Sequence, residues 1–326
     1  MPISLEAIRA AAARTASYLH HTPVLSSRSL GERAGAAQLF LKCENFQKTG
    51  SFKPRGALNV VLTLPAEQRA RGLITVSAGN HAQAVAWAAR VVAVPCTVVM
   101  PADAPRSKVE AVLGYGATIV AHDDRATLFD RLREEQARSG AAFVHPFDDP
   151  AGLAGAGTVG LELVEQVPEV EYVVVAIGGG GLMGGLACAV KALKPACRVI
   201  GVELADGPGM TPALAAGKPV PVTRPRTLAD GLTPPFVGAL PLAVARAHVD
   251  EIVLVTEPEI MEAMRMLLTR AKLYVEGSGA AATAALLAGK VRAAEGATVV
   301  SIVSGGNVDP ERLVELFPIH AAQARA

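Results

Sequence analysis

The chain has 326 residues, 51% hydrophobic and 19% charged, enough to bury a large core, and its length favours two domains. Lys plus Arg (31) nearly balance Asp plus Glu (30), which leaves no bulk electrostatic footprint for nucleic acid, and no basic run marks a membrane surface. Small-molecule partners fit that balance better.

The N-terminal stretch "ISLEAIRAAAARTASYL" carries Glu6 and Arg9 inside its apolar pattern, so it predicts a helix and not a signal-peptide core. No uninterrupted apolar run reaches membrane-spanning length. Cys43, Cys96, Cys188 and Cys197 show no CxxC spacing and sit in apolar stretches, as buried reduced thiols of a cytoplasmic protein do.

In "ENFQKTGSFKPRGALN" (44–59) an apolar run gives way to a helical pattern, with Phe52 and Lys53 bracketed by Gly50 and Gly56. Pro54 belongs in a first helical turn, where the macrodipole disfavours a cation and would lower the lysine pKa. An isolated lysine is ordinarily a solvated surface residue. A partly neutral one is a nucleophile able to form a Schiff base with an aldehyde, that of pyridoxal phosphate included.

From residue 72 strands and helices alternate: "LITVSA", "CTVVMP" and "ATIVAH" are each followed by a helical pattern. The rhythm returns at "EYVVVAI", "RVIGVEL", "EIVLVT" and "TVVSIVS". This predicts parallel sheets with helices on their faces, arranged as two open α/β units. "EPEIMEAMRMLLTRAKLYV" predicts one long helix. "HPFDDPAG" (145–152) marks a turn-rich boundary, and "GKPVPVTRPRTLADGLTPPF" a long loop suited to the surface.

Four junctions between elements carry candidate chemistry. In "SAGNHAQ" (77–83), Ser77, Gly79, Asn80 and His81 would present N–H and side-chain donors to an anion such as a carboxylate; a plain helix-capping turn is the competing reading. In "AIGGGGLMGG" (176–185), consecutive glycines let the backbone close around a phosphate. Gly179, Gly181 and Gly184 also satisfy GxGxxG, with Glu203 placed roughly where a dinucleotide fold has its ribose acid, so an NAD-dependent dehydrogenase competes. Four adjacent glycines exceed what that fingerprint needs, and it leaves Lys53 unexplained. In "SIVSGGN" (301–307), Ser304 ends an apolar strand where α/β sheets bind ligands and could hydrogen-bond a pyridine nitrogen. In "YVEGSGAA", Glu276 stands at a further junction, with a solvated helix-start glutamate as the default.

Taken in order, "ENFQKTGSFKPRGALN", "SAGNHAQ", "HPFDDP", "AGAGTVGLEL", "GGGGLMGG", "TLADG", "EGSGAAATAALLAGK" and "SGGN" resemble the threonine dehydratase and serine racemase family of pyridoxal-phosphate enzymes over nearly the whole chain. The short biodegradative dehydratases are most similar, since no room is left after "SGGNVD" for a C-terminal regulatory domain. The resemblance implies the type II fold, two open twisted parallel-rich sheets flanked by helices, with a small domain (71–148) inserted in a large pyridoxal-phosphate-binding domain (1–70 and 149–326). It implies a Schiff base at Lys53, Phe52 near the pyridine ring, and Asn80 on the ring's 3′ oxygen, with Glu276 counted among the cofactor-binding residues. Gly178, Gly179, Gly180, Gly181 and Leu182 would hold the phosphate, and Ser304 would face the ring nitrogen. Ser77, Gly79, Asn80 and His81 would take the substrate carboxylate.

The implied reaction dehydrates L-threonine and L-serine, in a cytoplasmic homodimer or homotetramer. Other β-hydroxy amino acids, such as hydroxyaspartate or a phenylserine-like substrate, and serine racemisation are alternatives, as is a non-catalytic amino-acid sensor on the same fold. Racemases of the family carry a serine immediately before the glycine of SxGN; here that position is Ala78, which cannot relay a proton. Some relatives bind a divalent cation near "GVELADGPGM", but Gly209 stands where an aspartate ligand is expected, so no metal is expected beside Glu203.

Overall fold

The computed structural model describes residues 3–36, 38–104, 106–222 and 225–317. Met1 and Pro2 of the N-terminal stretch, Pro105 ahead of the predicted "RSKVEAVLG" helix, and Thr223 and Arg224 of the Pro-rich loop lie outside the described residues.

The strands are β1 (Val24–Ser26), β2 (Gln38–Cys43), β3 (Leu73–Val76), β4 (Cys96–Pro101), β5 (Thr118–His122), β6 (Ala142–Phe143), β7 (Tyr172–Ala176), β8 (Arg198–Leu204), β9 (Glu251–Val255) and β10 (Thr298–Val303). They form a six-stranded sheet in the order β1-β2-β10-β7-β8-β9 and a four-stranded sheet in the order β5-β4-β3-β6. All ladders are parallel except the edge pair β1 and β2. Every residue of β7 and β10 is buried, as expected of central strands covered on both faces. Their side chains alternate between two cores: Val174, Ala176, Val299 and Val303 pack on one face, Val173, Val175, Val300 and Ile302 on the other.

The order places β10, last in sequence, between β2 and β7. The crevice at such a reversal lies beyond the strands' carboxyl ends, the usual ligand position in open α/β sheets. The segments leaving those ends are the Lys53 turn after β2, the glycine run after β7 and Ser304 after β10. The 77–81 turn leaves β3 of the other sheet and meets the same crevice.

Helices Lys53–Thr63, Pro150–Gln166 and Gly181–Leu193 pack together behind that crevice. Their approach is close enough that a Cβ on Gly155 would stand 2.3 Å from Arg55 O, and one on Gly185 2.1 Å from Leu153 O. Arg55 locks this packing. Its guanidinium donates to both Glu44 oxygens (2.6 and 2.8 Å) and to both Glu162 oxygens (2.7 and 2.9 Å). Lys42 adds a 2.6 Å bond to Glu162, and Lys42, Glu44 and Arg55 are fully or almost fully buried. Two cations and two anions thus satisfy one another where neither pair member could stand alone.

Two sequence expectations change. The long helix predicted over "EPEIMEAMRMLLTRAKLYV" is helix Glu257–Met266 followed by one π turn, Leu267–Ala271. Lys272 ends it with a left-handed φ of 61°, and the chain then runs non-helically so that Leu273 and Val275 are both buried. The Pro-rich loop is no mere surface loop: residues 225–235 wall the crevice, and Leu232 and Val237 are buried. β1 and the short β6 complete sheets whose central strands carry the clearer apolar signal. No helix among the described residues is long and apolar enough to cross a membrane.

Candidate active site

The crevice between the two sheets is a cleft of about 910 Å³. Phe52, Lys53, Ser77, Gly79, Asn80, His81, the 178–182 run, Glu276 and Ser304 all line it, so residues from five separate junctions meet in one place.

Lys53 reaches it because the chain after β2 turns sharply, with left-handed φ values of 58° at Thr49 and 72° at Gly50. An antiparallel bridge then joins Ser51 to Gly305, and Phe52 N donates to Ser304 O at 3.0 Å, tying the lysine turn to the end of β10. Lys53 opens its helix with Pro54 in the first turn. Its Nζ donates to Pro146 O at 2.7 Å and sits 5.2 Å from the Phe52 ring centroid. Burial pushes its pKa down to about 8, desolvation favouring the neutral amine.

After β3, Gly79 N donates to Ser77 Oγ at 3.1 Å and helix Asn80–Val91 begins. The Asn80 amide donates to Glu276 Oε1 at 2.6 Å and accepts from Asn307 Nδ2 at 2.7 Å. His81 is buried with Nε2 3.0 Å from Val144 O, and because a carbonyl only accepts, that nitrogen carries the proton. Burial, and then the charge of Lys53, holds its pKa well below the usual range. With its ring so engaged, what His81 offers an anion is its main-chain N–H.

The glycine run follows β7, and Gly180, at φ 92°, caps helix Gly181–Leu193. The first N–H groups of a helix have no intrahelical acceptor, which suits them to a phosphate. A Cβ on Gly179 would stand 2.2 Å from the Phe147 ring, and one on Gly178 2.5 Å from Gly231 O. The backbone therefore approaches the cleft as only glycine permits.

Ser304 is 6% exposed, with Oγ 3.5 Å from Ser278 O. Glu276 is no solvated helix-start residue: it is buried, and burial together with the charge of Asp230 raises its pKa to about 7. Phe147, the Pro146 carbonyl, Asn307 and Lys108 were not singled out from the sequence. They lie in or beside "HPFDDP", "SGGN" and "APRSK", whose spacing reveals no chemistry until the fold closes.

A nitrogen-bonded aldehyde carrier with a phosphate fits this set: an amine of lowered pKa, a glycine-lined helix start and a neutral hydroxyl at a strand end. A dinucleotide does not. The Glu203 carboxylate is saturated by Gly209 N (2.7 Å), Met210 N (2.6 Å), Thr211 N (2.9 Å) and Thr211 Oγ1 (2.6 Å), capping helix Met210–Ala216. No acceptor capacity remains for a ribose, which overturns that competing reading.

The model of the family described as pyridoxal-phosphate dependent enzyme matches residues 16–305. The chain belongs to that family. Its cofactor is therefore pyridoxal phosphate. The chain is 42% identical over 311 residues to an L-threonine ammonia-lyase of Thermotoga maritima, covering 94% of this chain and 76% of that one. It is 40% identical over 318 residues to the catabolic L-threonine dehydratase TdcB of Escherichia coli (strain K12), covering 97% and 96%. The solved structure of maize serine racemase superposes with a TM-score of 0.92 at 41% identity, over 97% of each chain.

Proposed function

We propose that this chain is an ammonia-lyase that dehydrates L-threonine and L-serine, giving 2-oxobutanoate or pyruvate and ammonia. The observation that carries the reading is an amine of lowered pKa, Lys53, in a cleft whose 77–81 loop bears Ala78. The kinship with proteins named L-threonine ammonia-lyase and L-threonine dehydratase supports it.

Pyridoxal phosphate bound at Lys53 supplies an electron sink for negative charge developing on the substrate Cα. The N–H groups of residues 178–182 would hold its phosphate, Phe52 would lie near its ring, and Asn80, held by Glu276, would bond its 3′ oxygen. Ser304 would face the ring nitrogen with a hydroxyl, which moderates the sink as a carboxylate would not. Ser77, Gly79, Asn80 and His81 would seat the substrate carboxylate on a helix start. Lys53 as a free amine takes the Cα proton. Ala78 can return no proton to Cα, so departure of the β-hydroxyl is favoured over racemisation.

Residues 71–148 are assigned to a small domain and 1–70 with 149–326 to a large one, because β3 to β6 all fall between residues 73 and 143. A cytoplasmic homodimer or homotetramer is part of the same reading, in keeping with four free, buried cysteines. A second substrate reading, a β-hydroxy amino acid with an aryl side chain, draws on Phe129, Phe147 and Phe236, whose rings cluster at 5.5–5.8 Å beside the cleft. Keto-acid release from L-threonine, L-serine, hydroxyaspartate and phenylserine by the holoenzyme tests both. Fastest turnover of L-threonine or L-serine supports the first, exclusive turnover of phenylserine the second, and no keto acid from any of them overturns both.

A further inference from the structure

Helix Arg106–Gly114 begins with Arg106 and Lys108 and no acid in its first turn, a placement the macrodipole disfavours. Arg106 is answered by Glu110 one turn on, at 2.6 Å in open solvent. Lys108 instead pairs with Asp230, 122 residues away on the loop that forms another wall of the cleft.

That pair is lopsided. The Lys108 side chain is 17% exposed and that of Asp230 58%. An exposed carboxylate is readily rehydrated when it lets go, whereas a shielded ammonium needs an anion beside it. Lys108 also looks onto the 77–81 loop: its Nζ is 4.0 Å from where a Gly79 Cβ would stand. It lines the same cleft as Lys53, Asn80 and Glu276, and its charge acts on Glu276. A shielded cation, a loop of N–H donors and a displaceable carboxylate thus face one space.

We propose that Lys108 binds the substrate carboxylate: an incoming α-amino acid, seated on the 77–81 loop, takes the ammonium over from Asp230. Asp230 holds the place until then and moves to water. This rests on the amino-acid site of the proposed function but not on the reaction that follows there.

The test uses holoenzyme and two probes, L-alanine, which has the carboxylate but no β-hydroxyl, and L-alaninamide, which lacks the carboxylate. Their affinities are read from the change each causes in the cofactor's visible absorption. Lys108→Met should weaken L-alanine by about tenfold or more and leave L-alaninamide within about twofold. Lys108→Arg should stay within about threefold of the native affinity for L-alanine. Asp230→Asn, by freeing the lysine, should tighten L-alanine. An unchanged L-alanine affinity in Lys108→Met, an equal loss for both probes, or weakening by Asp230→Asn would each overturn the proposal; the last would make the pair a strap across the cleft. Because L-alanine has no leaving group, the outcome stands whether or not L-threonine is turned over.

Discussion

Asn80 and Glu276 stand 196 residues apart in sequence and 2.6 Å apart in the fold, the Asn80 amide nitrogen donating to Glu276 Oε1. The other end of that amide accepts from Asn307, whose nitrogen also donates to Thr49 O at 2.7 Å. One run of hydrogen bonds therefore joins the turn after β3, the start of helix Gly277–Leu287, the segment after β10 and the Lys53 turn. It fixes which way Asn80 points.

Glu276 gives this network a pH dependence. Burial and Asp230 hold its pKa at about 7 in the fold, above the usual carboxyl range. Between that range and about 7 the unfolded chain has lost the proton while the fold keeps it, so stability falls as pH rises across the interval. Glu276→Gln keeps an acceptor for Asn80 without titrating. In denaturant unfolding the variant apoprotein should match wild type at the acidic end of the interval and exceed it by about 3–4 kcal/mol above it. A constant difference at every pH would refute the assignment.

Arg55 answers two buried carboxylates, Glu44 and Glu162, so its removal leaves charge without a partner. Arg55→Met should cost about 3–5 kcal/mol of unfolding free energy. Replacing Arg55, Glu44, Glu162 and Lys42 together by apolar residues should cost far less, as measured by denaturant midpoints. Similar losses in both variants would argue against a coupled cluster.

Ala78 lines the cleft beside Ser77 and Gly79 without a group that can carry a proton. Ala78→Ser should confer interconversion of L- and D-serine that wild type lacks, read by chiral separation of the unreacted substrate. Racemisation by wild type at a rate comparable to keto-acid release would contradict the role given to Ala78.

Gly179 has no room for a methyl group against Phe147. Gly179→Ala should introduce about 1–3 kcal/mol of overpacking and weaken cofactor retention about tenfold. Adding Phe147→Ala should recover part of that loss, measured by equilibrium dialysis of pyridoxal phosphate. Retention as in wild type would show that the loop adapts without cost.

The alternation of strands and helices, the glycine run and Lys53 were legible because each is a local pattern with a physical meaning. For Glu276 the local sequence offers only a solvated helix start, since nothing near it in sequence announces that Asn80 and Asp230 will come beside it; only the family resemblance puts it at the cofactor site. The Arg55, Glu44 and Glu162 cluster was invisible for the same reason: its members look like surface charges until three elements meet. The helix start that disfavours a cation at Lys53 is readable in the sequence, whereas the burial that lowers its pKa is a property of the closed cleft. The end of helix Glu257–Met266 was missed because "TRAKLYV" keeps a helical composition, and only the burial of both Leu273 and Val275 overrides it.

Lys53 is proposed both to hold the cofactor and to serve as the base. The most direct measurement is the visible absorption of purified protein supplied with pyridoxal phosphate, followed by 2-oxobutanoate release from L-threonine, on wild type and Lys53→Ala. A lysine-bound cofactor band and keto-acid release are expected in wild type, both lost in the variant. A variant that retained the band and the turnover would contradict both roles.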